Sequence, residues 1–128
     1  MTLHDIVAAA GAALGAGMGL YAMIDPAWAA RLVRLQSDPA RPGGFAEFRA
    51  TYGGLFLASH AGALIALLAH PAVAPWIALP LGLGWAGAGV GRMVSIGLDK
   101  VYSPFNAGSV IFELAMGAAL LAPAIART

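Results

Sequence analysis

The sequence predicts an all-α integral membrane protein, a four-helix bundle with a short interfacial helix between helices one and two. Three observations carry this. Hydrophobic residues make up 60% of the 128 and charged residues 10%, with a mean hydropathy of +0.80; a soluble domain of this size would lack the polar surface to cover such a core. The apolar residues gather in four stretches, each close to the roughly 20 residues that a helix needs to cross the hydrocarbon. The breaks between the stretches carry turn chemistry.

The first helix is expected from Ile6 to Ile24 and ends at "DPAW", because proline cannot continue the hydrogen-bond ladder. It is read as retained, since "MTLHDIV" lacks the basic n-region of a cleaved signal. Next comes "PAWAARLVRLQ", where Trp28, Leu32 and Leu35 fall at i, i+4 and i+7 while Arg31 and Arg34 point elsewhere. That pattern suits a short helix lying in the membrane interface. After "SDPARPGG" a second helix is expected from Phe48 to Ala69. The "HPAVAP" loop leads to a third from Val73 to Leu98, and "DKVYSP" to a fourth from Phe105 to Ile125. No internal repeat or low-complexity linker interrupts the chain, so residues 1–128 are expected to form a single transmembrane domain.

Charge narrows the partners. The net charge is +1, with no basic tail or patch, so no nucleic acid is expected. There is no cysteine, which removes disulfides, thiolate nucleophiles and the usual zinc or iron–sulfur frameworks. No metal and no cofactor is expected. Membrane lipids are the expected neighbours, with a homo-oligomer or larger membrane complex as a further partner. Arg31, Arg34, Arg41, Lys100 and, at the edge, Arg49 belong to the first and third loops, whereas the opposite side offers only Arg127. By the positive-inside rule the expected location is the bacterial inner membrane, with those loops cytoplasmic and both termini periplasmic.

Small residues point to close helix contacts. Gly11, Gly15 and Gly19 are spaced by four on the first helix, and Gly87 and Gly91 on the third. Such strips let backbones approach, within one bundle or across a dimer seam. Pro80 falls inside the third span, a position that kinks helices. Trp28, Trp76 and Trp85 read as interface anchors or filler.

The polar residues inside the spans form the candidate site. In the fourth helix Asn106, Ser109 and Glu113 lie at i, i+3 and i+7, and in the third Arg92, Ser95 and Asp99 do the same. In an antiparallel hairpin, residues equally far from the turn share a depth: Arg92 with Glu113, Ser95 with Ser109, Asp99 with Asn106. At about 1.5 Å per residue, Arg92 and Glu113 would lie roughly 10 Å inside the boundary. A lone charge there is costly, so an opposite partner at the same depth is expected. In "AEFRATYGGLFLASH" Arg49, Gly53, Phe56 and His60 share a face, with Glu47 on nearly the opposite one. Arg49 would lie near the level of Asp99, with Tyr52 beside it as a hydrogen-bond donor. The cytoplasmic half would then hold either a closed ion-pair network or a cavity open to the cytoplasm.

"EFRATYGG" resembles the Glu-x-Arg-x-x-Tyr-Gly-Gly signature at the start of the second helix in a bacterial family of small membrane proteins, domain of unknown function 4345. "RMVSIGLD" is similar to that family's Arg-x-x-Ser-x-x-x-Asp arrangement, and the likeness covers nearly the whole chain. The resemblance implies four membrane helices, with Glu47, Arg49, Tyr52, Gly53 and Gly54 as signature positions, and no established reaction.

Two classes of function follow. One is a non-enzymatic accessory protein or binder of a lipid or other amphiphile. The other is a small carrier or intramembrane enzyme using Glu113 or Asp99 for proton transfer. His60 reads as a packed or hydrogen-bonded residue rather than a ligand, since no second histidine shares its level.

Overall fold

The computed structural model describes residues 1–38, 40 and 43–127; Arg41, counted above among the basic residues of the first loop, lies outside them. The described residues are helical and contain no strand. Helix α1 spans Leu3–Ile24 and the short α2 spans Pro26–Val33. Helix α3 runs Gly44–Ala69, α4 Ala74–Leu98 and α5 Pro104–Ile125. Four of these, all but α2, are long and apolar enough to cross a membrane. The shortest have 22 residues, about 33 Å at about 1.5 Å per residue, against a hydrocarbon core of about 30 Å. Large apolar side chains stay uncovered, Leu98 at 78% and Ile111 at 71% exposure. In water that would be a liability; against lipid tails it costs nothing. The chain is a multi-pass membrane protein.

Element ends follow from capping chemistry. Helix α1 starts three residues before the expected Ile6 because Thr2 and Asp5 form a capping pair: the Asp5 carboxylate accepts from the Thr2 backbone N–H (2.8 Å) and hydroxyl (3.0 Å), and the Asp5 N–H donates to the Thr2 hydroxyl oxygen. Helix α2 is capped by Asp25, whose Oδ1 accepts from the Trp28 N–H at 3.0 Å, with Pro26 in the first turn. It ends at Val33, so Leu35 does not continue the apolar face expected with Trp28 and Leu32. The reason is Arg34, whose φ of 58° is left-handed. Its N–H donates to the Arg31 carbonyl while that of Leu35 reaches the Ala30 carbonyl, the two bonds of a Schellman motif. Glycine is the usual occupant of this position; an arginine costs about 1–2 kcal/mol more. Helix α5 is capped by Ser103, whose hydroxyl oxygen accepts from the Asn106 N–H at 3.1 Å.

Helix α3 starts at Gly44, four residues before the expected Phe48, and is not uniform. It opens as an α-helix over Gly44–Phe48, widens into a π-helix over Arg49–Leu55, and resumes as an α-helix over Phe56–Ala69. The widened turn covers "RATYGGL". No periodicity of apolar residues signals such a turn, and π-turns concentrate at functional sites.

The chain packs as two compact units, one formed by Met1–Gly11 with the chain from Ile65 onward, the other by Ala12–Leu64. In the first, α4 and α5 make an antiparallel hairpin. Gly117 of α5 lies so close to α4 that a methyl there would fall 2.9 Å from the Ala86 nitrogen, and one at Gly82 would fall 2.7 Å from Leu121. These glycines, and not the expected Gly87 and Gly91, make the close approach; a methyl at either of the latter would meet nothing within 4 Å. Trp85 packs edge-on against Phe112, with ring centroids 5.5 Å apart.

In the second unit, Gly15 and Gly19 face the helix α3 backbone and His60. A methyl at Gly19 would lie 2.4 Å from the Leu57 nitrogen. Substituting Gly19→Ala should therefore destabilise by about 1–3 kcal/mol, the usual cost of overpacking, while Gly87→Ala should leave stability unchanged or raise it slightly. Thermal unfolding of the two variants in detergent measures both.

Candidate functional site

Arg92, on α4, and Glu113, on α5, meet across the hairpin. The Arg92 Nε donates to both carboxylate oxygens, at 3.2 and 3.0 Å, and Nη2 donates to Oε1 at 2.6 Å. This fork-on-carboxylate geometry is the strongest ion-pair arrangement that side chains make. Glu113 is 7% exposed as a residue, and the Arg92 side chain is 33% exposed. The carboxylate is enclosed and the arginine stem reaches in from the rim. A third residue holds the far side of the guanidinium: Asn106 presents Oδ1 to Nη1 at 3.5 Å and donates from Nδ2 to the Val101 carbonyl at 2.6 Å. A polar chain therefore runs from the α4–α5 turn through Asn106 and Arg92 to Glu113.

The remaining expected positions distribute differently. Asn106, expected at the depth of Asp99, reaches Arg92, its amide turned between the Val101 carbonyl and the guanidinium. Asp99 is exposed at the C-terminal end of α4 and its carboxylate has no hydrogen bond to a described residue. Ser95 and Ser109 are half-buried on the facing helices. The Ser95 carbonyl accepts from the Asp99 N–H at 2.9 Å.

In the second unit the residues of "EFRATYGG" build a joint. Arg49 Nε donates to the Met23 carbonyl at 3.2 Å, satisfying a last-turn acceptor of α1 and placing a cation at that helix's negative end. Gly53 allows the approach, since a methyl there would fall 2.7 Å from the Met23 sulfur. The Tyr52 ring stacks on Phe48 at 5.8 Å and packs against the buried cluster of Ala22, Ala29, Ala30 and Phe48. Trp28, from α2, joins that cluster and meets Tyr21 edge-on at 4.8 Å. Glu47 is exposed, with no hydrogen bond to a described residue. His60 is 1% exposed; its Nδ1 donates to the Phe56 carbonyl at 2.8 Å. No group of three or more histidine and carboxylate residues able to hold a metal occurs among the described residues.

A family model described as a domain of unknown function, DUF4345, matches residues 4–123. The chain belongs to that family. No curated protein and no solved structure matches it. Both the Arg49–Met23 joint and the Arg92–Glu113 pair lie within the matched residues.

Sequence reasoning missed one ion pair. Arg127 donates from Nη2 to Asp5 Oδ1 at 2.7 Å, where Asp5 is 2% exposed, and from Nη1 to the Pro71 carbonyl. It ties both ends of the chain to the α3–α4 loop. Two signals were present: the Thr2-x-x-Asp5 capping spacing and the isolation of Arg127 as the only Lys or Arg in the terminal stretches and the "HPAVAP" loop.

Two variants test these assignments. Asn106→Ala should cost about 1 kcal/mol by removing the link between the Val101 turn and Arg92. Arg127→Ala strands the buried Asp5 carboxylate and should cost about 2–4 kcal/mol. Thermal unfolding in detergent measures both, with Asp99→Ala as a control expected to stay within about 0.5 kcal/mol of the parent.

Proposed function

We propose that the protein is a non-enzymatic component of the bacterial inner membrane, an accessory protein or a binder of lipids and other amphiphiles, whose intramembrane charges hold the fold together. The observation that supports this best is the saturation of Glu113: both of its oxygens accept from Arg92. A proton-carrying carboxylate needs a free oxygen facing a donor or a water path. A headgroup site would need Arg92 donors aimed outward, and its Nε and Nη2 are spent on Glu113 while Nη1 faces Asn106.

In this reading Glu47, Arg49, Tyr52, Arg92, Ser95, Asp99, Asn106, Ser109 and Glu113 mark the cytoplasmic half, membrane lipids are the standing partners, and self-association or a larger membrane complex is the setting in which the protein acts. Proton flux into liposomes containing the purified protein should match empty liposomes, and Glu113→Gln should not change it. Flux above the empty control that Glu113→Gln abolishes would establish the carrier reading instead.

The basic residues of the first and third loops support periplasmic termini. A C-terminal alkaline phosphatase fusion should be active and a C-terminal fluorescent protein dark. The reverse pair of results would invert the topology.

A further inference from the structure

We propose that the cleft between α2 and the start of α3 binds the phosphate of an anionic amphiphile, held by Arg31 and Arg34, with the hydrocarbon lying on Leu35 and Phe45. This deepens the amphiphile-binding reading and rests on it, naming the ligand class and the place. The cleft lies wholly within the Ala12–Leu64 unit and has a volume of about 540 Å³, within the range of small-molecule sites.

Its walls are divided by polarity. Arg31, Arg34 and Ser37 supply donors, Ala27, Leu35 and Phe45 supply apolar surface, and no carboxylate lines it among the described residues. Two guanidinium forks three residues apart match the several oxygens of a phosphate better than the two of a carboxylate. The apolar wall adds nothing for a free anion and favours a molecule that carries a chain. The location agrees: α1 ends at Ile24 and α3 begins at Gly44, so the cleft lies between the ends of two spans, at the depth of lipid phosphates.

The local fold keeps this cleft open and charged. The left-handed Arg34 turns the chain back after α2. Gly44 lets the returning segment close against α3, since a methyl there would fall 2.4 Å from the Ser37 Cβ. Arg31 meets Asp25 in an exposed pair of 3.4 Å, which leaves most of its five donors for a ligand. Asp25 is anchored separately through its Oδ1 cap on Trp28. Arg34 also has a protein partner, and a phosphate adds to that contact or exchanges with it. A charged residue at a backbone position that favours glycine is the cost the sequence accepts for a second arginine at this wall.

The test uses the full chain in nanodiscs of phosphatidylcholine with a minor fraction of phosphatidylglycerol, followed by native mass spectrometry of the lipids retained on release. The parent should enrich phosphatidylglycerol, and inorganic phosphate should not displace it. Arg31→Gln with Arg34→Gln should reduce the enrichment about tenfold or more, and Lys100→Gln, an exposed basic residue of the other unit, should leave it unchanged. Arg34→Gly removes one charge while relaxing the left-handed backbone, so it should retain less phosphatidylglycerol with an undiminished melting temperature. Equal enrichment by parent and double variant, or an equal loss with Lys100→Gln, overturns the proposal. Displacement by inorganic phosphate also overturns it, since the occupant would then be the free anion. None of these results touches the Glu113 flux experiment, which tests the non-enzymatic reading separately.

Discussion

A carboxylate in the middle of an apolar helix is the constraint around which α4 and α5 are arranged. Glu113 would cost about 2.5–3.5 kcal/mol near the centre of a membrane helix if left alone, and Arg92 carries the same order of cost. Each removes most of the other's penalty only if the fork meets both oxygens. That requirement fixes the register of the hairpin. Once Arg92 faces Glu113, Gly89 faces Leu114, Ala86 faces Gly117 and Gly82 faces Leu121: from Gly89 and Leu114 on, steps of three and four down α4 are matched by steps of three and four up α5. Small residues fall where the backbones are closest. Where hydrophobic surface gives little direction to helix pairing, because lipid tails are as apolar as leucine, a polar pair of this kind and close steric fit supply the specificity.

The stretch "EFRATYGG" has a related explanation in the second unit, where it joins elements. Arg49 closes the C-terminal end of α1, Gly53 lets α3 come against Met23, and Tyr52 stacks on Phe48 beside α2. The π-turn over the same residues re-aims the side chains that follow, so the widened backbone and the joint occupy one place. A polar motif in a membrane helix can thus serve the connection between elements.

The four spans and the Arg92–Glu113 facing were legible in the sequence because each rests on one strong signal: apolar length for the spans, and the cost of an unpaired charge together with hairpin symmetry for the pair. What was not legible depended on local backbone chemistry. The π-turn leaves the apolar pattern intact, and a left-handed arginine at position 34 is not what turn statistics suggest. The glycine spacing was visible, but which glycines touch a neighbour depends on helix rotation: Gly82 and Gly117 do, while Gly87 and Gly91 do not. The Asp5–Arg127 pair joins opposite ends of the chain, beyond the reach of any spacing rule, though its capping half was readable at Thr2. Hairpin symmetry gave Asn106 a depth, level with Asp99, but not the direction of its amide, which turns to Val101 and Arg92.

The most direct measurement is a double-mutant cycle on the pair, with Arg92→Ala, Glu113→Ala and the double variant compared by thermal unfolding in detergent. Each single variant strands a charge and should lose about 2–3 kcal/mol, below the range for a fully buried pair because Arg92 is a third exposed and can reach water. The double variant should recover a substantial part of that loss. Strictly additive losses would mean that the two side chains do not hold each other, and the hairpin would need another source for its register.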